Sequence, residues 1–271
     1  MALQIDVQRI IENRSPKLAR HLPTFAMRWL KKTIHQDEMN EFLRLHGEEN
    51  AWDFVGHVLQ MLNAQLEICN PENISQTGRP IFVSNHPLGG LDGLCYLHVL
   101  SSYRKDVKVP VNDLLMQVPP LREVFIPINK FGRQSRDAVR SFNETFASND
   151  AILYFPAGLC SRRQHGTIRD LTWKSTIITK AVQYQRDIIP CHFQGQNSNF
   201  FYRLAQLRNF LHIKTNIEQL FLVDEMYRQK NHLFTITFGQ PISYQYFTSQ
   251  KTPQQWAHWL QEQTYQLTSK K

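Results

Sequence analysis

The sequence predicts an α/β protein: a mixed, largely parallel sheet flanked by helices, with an N-terminal helical extension. Three observations predict it. From about residue 80 onward, short apolar runs alternate with segments of helical period. Before residue 75 the pattern is helical alone, and Pro71 with the polar Ser75-Gln76-Thr77-Gly78 stretch marks the change. The chain has 271 residues, 42% hydrophobic and 20% charged, which suits one large core and argues against disorder. Residues 1–75 are therefore read as a helical region and 76–271 as the α/β domain.

Ser15-Pro16 opens a helical segment reaching Thr33, with Leu18, Leu22, Phe25, Met27, Trp29 and Leu30 among basic residues. Pro23 kinks or restarts it. Helices are expected over 37–46 and 50–68. Then come a strand at 80–84, a helix at 91–103, strands at 107–111 and 124–128, and a helix at 135–146. A strand at 151–155, a helix at 171–184, a strand at 187–193, a helix at 199–211 and a strand at 233–238 follow. Thr252-Pro253 opens a last helix, with proline in its first turn.

The net charge of +8 favours anionic partners: nucleic acid, phospholipid headgroups or an acidic carrier. The four cysteines (Cys69, Cys95, Cys160, Cys191) form no CxxC pair, so neither a metal site nor a disulfide framework is expected, and a cytosolic setting is. Residues 1–14 lack the pattern of a secretory signal, and no apolar run is long enough to span a bilayer. Membrane contact is thus expected to be peripheral. The 17–32 segment, with Arg20, Arg28, Lys31 and Lys32 opposite Trp29, suits an interfacial helix on anionic lipid, or equally a helix packed on the main domain.

The strand at 80–84 runs into Asn85-His86, then Pro87-Leu88-Gly89-Gly90, with Asp92 opening the next helix. An imidazole beside a carboxylate is a general base in search of a proton. Other strand ends carry Asn129-Lys130 with Arg133, the run Pro156-Ala157-Gly158-Leu159-Cys160-Ser161-Arg162-Arg163, and Pro190 with His192. Open α/β sheets collect their sites at such ends. Lys130, Arg133 and Arg162, with Lys174 after Trp173, are candidate anion contacts. His192 reads as a core histidine, and Asn197 and Asn199 as turn and cap residues.

In order and spacing, Asn85-His86…Asp92, Phe125-Ile126…Lys130, Phe155-Pro156-Ala157-Gly158 and Ile189-Pro190 resemble the four motif blocks of the glycerol-phosphate and lysophospholipid acyltransferase superfamily. More closely, the chain resembles a bacterial subgroup, mostly from the Bacteroidetes, known as hemolysin or glycerol acyltransferase. That subgroup shares the Asn-His-Pro-Leu-Gly-Gly-Leu-Asp-Gly and Phe-Pro-Ala-Gly segments. The superfamily likeness covers about residues 80–240, and the subgroup likeness reaches into the N-terminal helices.

The resemblance implies transfer of a fatty acyl group from an acyl carrier protein or coenzyme A thioester to a hydroxyl of a lysolipid or acyl-amino-acid lipid precursor. His86 would be the base and Asp92 its orienting partner. Asn85, Gly89, Gly90, Lys130, Arg133, Gly158, Arg162 and Lys174 would contact substrate, with backbone N–H groups near Gly89-Gly90 or Gly158 facing the oxyanion. No cofactor beyond the donor and no metal is implied. The implied place is the inner face of the cell membrane. Three departures from the usual blocks stand out. Five residues separate His86 and Asp92, one more than usual; Ala157 and Leu159-Cys160 replace Glu and Thr-Arg; and Asn129-Lys130 stands where an Arg is common.

Two other classes are open to the residues. Net charge alone suggests a nucleic-acid binder, without any helix-turn-helix, zinc or RNA-platform signature. A thiol hydrolase would use Cys160 as nucleophile and His86 as base.

Overall fold

Ile81–Ser84 and Ala151–Tyr154 are buried along their whole length, as central strands of a parallel sheet must be. The structure, a computed structural model, describes residues 5–14, 16–112, 115–128, 136–164, 166–213 and 216–267. The strands are β1 (Gln65–Cys69), β2 (Ile81–Ser84), β3 (Val107–Val111), β4 (Phe125–Pro127), β5 (Ala151–Tyr154), β6 (Arg162–Gln164), β7 (Thr167–Arg169), β8 (Ile188–Gln194) and β9 (Leu233–Phe238). The helices are α1 (Val7–Arg14), α2 (Pro16–His21), α3 (Thr24–Thr33), α4 (Gln36–His46), α5 (Ala51–Leu62), α6 (Leu91–Ser101), α7 (Arg136–Ala147), α8 (Thr176–Gln183), α9 (Asn199–Phe210), α10 (Leu222–Arg228) and α11 (Pro253–Tyr265).

Seven strands form one sheet in the order β1-β9-β8-β2-β5-β3-β4, and β6-β7 form a separate hairpin. Every neighbouring pair in the large sheet is parallel except β8 with β9. Side chains alternate between its faces. Phe82, Leu153, Ile189 and Phe193 share one core with α5 and α6, while Ile81, Val83, Ile152 and Ile188 share another with α8 and α11. The expected mixed, mostly parallel sheet between helical layers is what the chain forms. Thr252 caps α11 through a capping box with Gln255, so the Thr-Pro signal marks a true helix start.

Pro190 sits inside β8, where a proline removes a ladder donor. Its carbonyl accepts Gly239 N–H at 2.7 Å, just past the end of β9, so the missing donor faces the place where the partner strand stops. A Cβ at Gly239 would lie 2.8 Å from the Pro190 ring, which explains the glycine.

Two expectations need correction. The helix expected over 50–68 ends at Leu62: Asn63 turns left-handed (φ 46°), and the next residues form β1, paired with β9. The sheet therefore begins before residue 75. The helix expected from 171 begins at Thr176, and Lys174 lies in the segment before it. The helical restart expected at Pro23 is present: it separates α2 from α3 and stands at the N-cap of α3.

The helices α1 to α3 gather around Val7, Ile11 and Leu30. His35 reaches Asp224 of α10 at 3.2 Å and stacks on Tyr227 at 4.0 Å. Trp29 packs on Phe221. No described helix is long and apolar enough to cross a membrane.

Candidate active site

β2 is the strand at which the chain's direction across the sheet reverses. The chain leaves it toward β3 on one side, while β8 lies on the other. Loops diverge at such a point and open a crevice at the carboxyl ends of the strands. His86 stands there, two residues past β2.

The His86 Nδ1–H donates to Asp92 Oδ2 at 3.0 Å. Gly89 takes up the extra residue by adopting φ 77°. The turn then wraps the fully buried Asp92 carboxylate. Leu88 N–H (3.0 Å) and Gly89 N–H (3.4 Å) donate to Oδ2, and Gly90 N–H (3.1 Å) and Gly93 N–H (2.9 Å) to Oδ1. Burial opposes ionisation of Asp92, but the His86 ring and these N–H donors outweigh it and hold the carboxyl below its ordinary range. With Nδ1 carrying the proton, Nε2 is left with a lone pair, the arrangement of a general base.

A second buried carboxylate fixes the His86 main chain. His86 N–H donates to Asp170 at 3.1 and 3.2 Å, and the His86 carbonyl accepts Ser161 N–H at 2.8 Å. Asp170 also accepts from Ser161 Oγ (2.6 Å) and Trp173 Nε1 (2.9 Å), while its own N–H donates to Tyr265 OH (2.8 Å). Burial raises the Asp170 carboxyl above its ordinary range despite those donors. Phe155, at the exit of β5, stacks on the imidazole at 4.2 Å. Asp170 and Ser161 carried no signal in the sequence: Asp170 meets His86 across 84 positions, through main-chain atoms.

Several expected substrate contacts are engaged otherwise. The Asn85 amide is buried and brackets Phe193, accepting its N–H at 2.7 Å and donating to its carbonyl at 2.9 Å; it pins the loop that carries His86 to β8. The N–H groups of Gly89 and Gly90 belong to Asp92, and that of Gly158 donates to the Phe155 carbonyl at 3.0 Å. None of the three is available to an oxyanion.

Arg162 is buried. It donates to Glu218 Oε1 at 2.7 Å and to the Cys160 carbonyl at 2.7 Å, under the ring of Phe201. Glu218, fully buried, also meets Arg208 at 2.9 Å. The Arg162 charge is thus neutralised within the protein, where an anion contact was expected. Cys160 is buried behind Gly89, and burial pushes its thiol up despite Arg162, the reverse of an activated nucleophile. Lys174 is exposed. Lys130 and Arg133 lie outside the described residues. His192 is a buried core histidine, as expected, and burial lowers it to about 4.

A sequence model of the family described as Acyltransferase matches residues 9–270. The chain is 46% identical to a lyso-glycine lipid O-acyltransferase of Bacteroides thetaiotaomicron, over 97% of both chains. It is 44% identical to a lyso-glycine lipid O-acyltransferase of Phocaeicola vulgatus, over 97% of this chain and 95% of the relative. In fold it is similar to the crystal structure of the 1-acyl-sn-glycerophosphate acyltransferase PlsC from Thermotoga maritima, with a TM-score of 0.53, 15% identity and 97% of each chain covered. The chain belongs to the acyltransferase family.

Proposed function

We propose that this protein is an O-acyltransferase that completes a glycine-type lipid, moving a fatty acyl group from a thioester to the hydroxyl of a lyso-glycine lipid. The observation that carries this reading is the 3.0 Å contact between His86 and Asp92, in a chain alike over nearly its whole length to two lyso-glycine lipid O-acyltransferases. His86 Nε2 takes the acceptor's hydroxyl proton as its oxygen attacks the thioester carbonyl. The tetrahedral adduct collapses, the C–S bond breaks, and the proton passes to the departing thiolate. An ester and a free thiol result, with no acyl-enzyme. Asp92 keeps Nδ1 protonated and faces the imidazolium while it exists.

Two features support an acceptor other than lysophosphatidic acid. The arginine after the third-block turn is neutralised by Glu218, and Ala157 packs in an apolar cluster where the superfamily's usual third block has a glutamate. The donor is an acyl carrier protein or coenzyme A thioester.

A peripheral position on the inner face of the membrane is part of the proposal. Trp29 of α3 packs through Phe221 onto Phe200 of α9. The same two helices expose Phe25 (75%) and Phe210 (79%), and carry the exposed Arg28, Lys32 and Arg203. An apolar patch of this kind with a cationic rim supports docking on anionic lipid.

The test is acyl transfer to lyso-glycine lipid by wild type and a folded His86→Ala variant, with each donor and with lysophosphatidic acid as a rival acceptor. Loss of about 10²–10⁴-fold in the variant is expected. Near wild-type turnover removes His86 as the base, and turnover with lysophosphatidic acid alone removes the acceptor. Flotation with anionic vesicles should weaken at high salt; no salt effect removes the cationic rim as an anchor.

A further inference from the structure

Away from the site, the sequence His46-Gly47-Glu48-Glu49 ends α4, and His57 lies on α5. The expectation of no metal rested on cysteine spacing, which does not speak to a histidine–carboxylate set. His46 Nδ1 lies 2.8 Å from Glu49 Oε1, and His57 Nδ1 lies 2.9 Å from Glu49 Oε2. The three ligand atoms fall within 4.8 Å of one another, and the two rings are 4.3 Å apart at a tilt of 34°. All three groups come from constrained positions. His46 occupies the last turn of α4 and packs on Phe42; Glu49 N–H donates to the His46 carbonyl at 3.2 Å; Asn50 caps the helix that carries His57.

We propose that His46, Glu49 and His57 form a divalent metal site of the zinc class that clamps α4 to α5. Two neighbouring imidazoles, one at each oxygen of a single carboxylate, offer the N₂O donor set that suits Zn²⁺, Co²⁺ or Ni²⁺, whereas Mg²⁺ and Ca²⁺ prefer oxygen alone. Zinc holds such ligands at about 2.0–2.2 Å, which separates neighbouring donors by about 3.4 Å in a tetrahedron. The present spacings of 2.8 Å to Oε1 and 2.9 Å to Oε2 open to that value by about 0.5–0.6 Å through side-chain rotation. A cleft of about 360 Å³ lined by Gly47, Glu49, Arg122 and Glu123 adjoins the Glu49 side of the cluster. Since α5 shares a core with α6, which carries Asp92, the clamp ties the N-terminal helices to the scaffold of the base.

The experiment uses the full, untagged chain stripped with a chelator and titrated with Zn²⁺ by calorimetry, with Tm and the visible spectrum of the Co²⁺ form as further readouts. Expected are one Zn²⁺ per chain at micromolar Kd or tighter, a rise in Tm, and tetrahedral Co²⁺ bands. His57→Gln and Glu49→Gln, folded by circular dichroism, should weaken binding at least about tenfold and lose the Tm shift. No uptake at about 100 µM Zn²⁺, equal binding by the folded variants, or an equal response to Mg²⁺ overturns the proposal. If the variants do not fold, the Co²⁺ spectrum of the wild type decides: tetrahedral bands support the site and their absence overturns it.

Discussion

Asp92→Asn is the sharpest perturbation of the proposed base, His86, because the two oxygens of Asp92 have different duties. Oδ2 accepts from His86 Nδ1 and Leu88 N–H, both at 3.0 Å, and Oδ1 from Gly90 and Gly93 N–H at 3.1 and 2.9 Å. An asparagine has one acceptor for these two sites. If its oxygen faces Gly90 and Gly93, its NH₂ meets Leu88 N–H and the His86 ring. The ring then moves its proton to Nε2 so that Nδ1 can accept, and the base is gone. If the amide is reversed, two buried N–H groups lose their acceptor at about 1–3 kcal/mol each. The first orientation keeps both glycine N–H bonds and is the one expected, with Leu88 N–H left without its acceptor: a stability loss of about 1–3 kcal/mol together with a kcat loss of about 10³–10⁴-fold, the scale of a wrong tautomer in a triad. Urea unfolding measures the first and single-turnover acyl transfer on the folded fraction the second. A variant that keeps more than about a tenth of wild-type kcat would refute the claim that the carboxylate selects the tautomer.

Glu218→Leu should cost about 3–5 kcal/mol, because it strips two buried guanidiniums of their anion. Arg162→Met leaves Glu218 paired with Arg208 and should cost less; denaturant unfolding reversing that order would show that Arg162 is not held by Glu218. Gly89→Ala forces a side chain into φ 77° with its Cβ 2.9 Å from Cys160 Cβ and 3.2 Å from Leu222, so a loss of about 1–3 kcal/mol with reduced activity is expected. Calorimetry showing an unchanged Tm would remove that constraint. His192, lowered from 6.5 to about 4 by burial, binds its proton more tightly unfolded than folded. Its share of stability is full above pH 6.5 and falls away toward pH 4, by about 3 kcal/mol at most. Unfolding measured across that range should show a flatter acid limb for His192→Gln; identical limbs would assign the loss to other groups.

The fold was legible where one local pattern decides one element. The buried runs of β2, β5 and β8 and the Thr252-Pro253 start of α11 are such places. The His86–Asp92 pair was legible because both partners flank one turn. Arg162 was misread because its partner, Glu218, lies 56 positions away on a segment without a pattern of its own. Asn85 was misread for the same reason, since the Phe193 backbone it brackets lies 108 positions downstream. β1 was absorbed into a helix because Leu66 and Ile68 continue the apolar spacing of α5. Its strand character comes from β9, not from its own residues.

That distant partner has a consequence for how the molecule is made. Gln65 pairs with Leu233 and Glu67 with Thr235, 168 positions later. During synthesis, β1 leaves the ribosome long before the strand that holds it, and β8 waits with one edge bare. Residues 233–238 fill both vacancies at once, as β9 enters between them. Closing so wide a loop is slow, and an unpaired edge invites other strands meanwhile. The vulnerable interval of this enzyme's life is the synthesis of its last quarter, and β9 ends it.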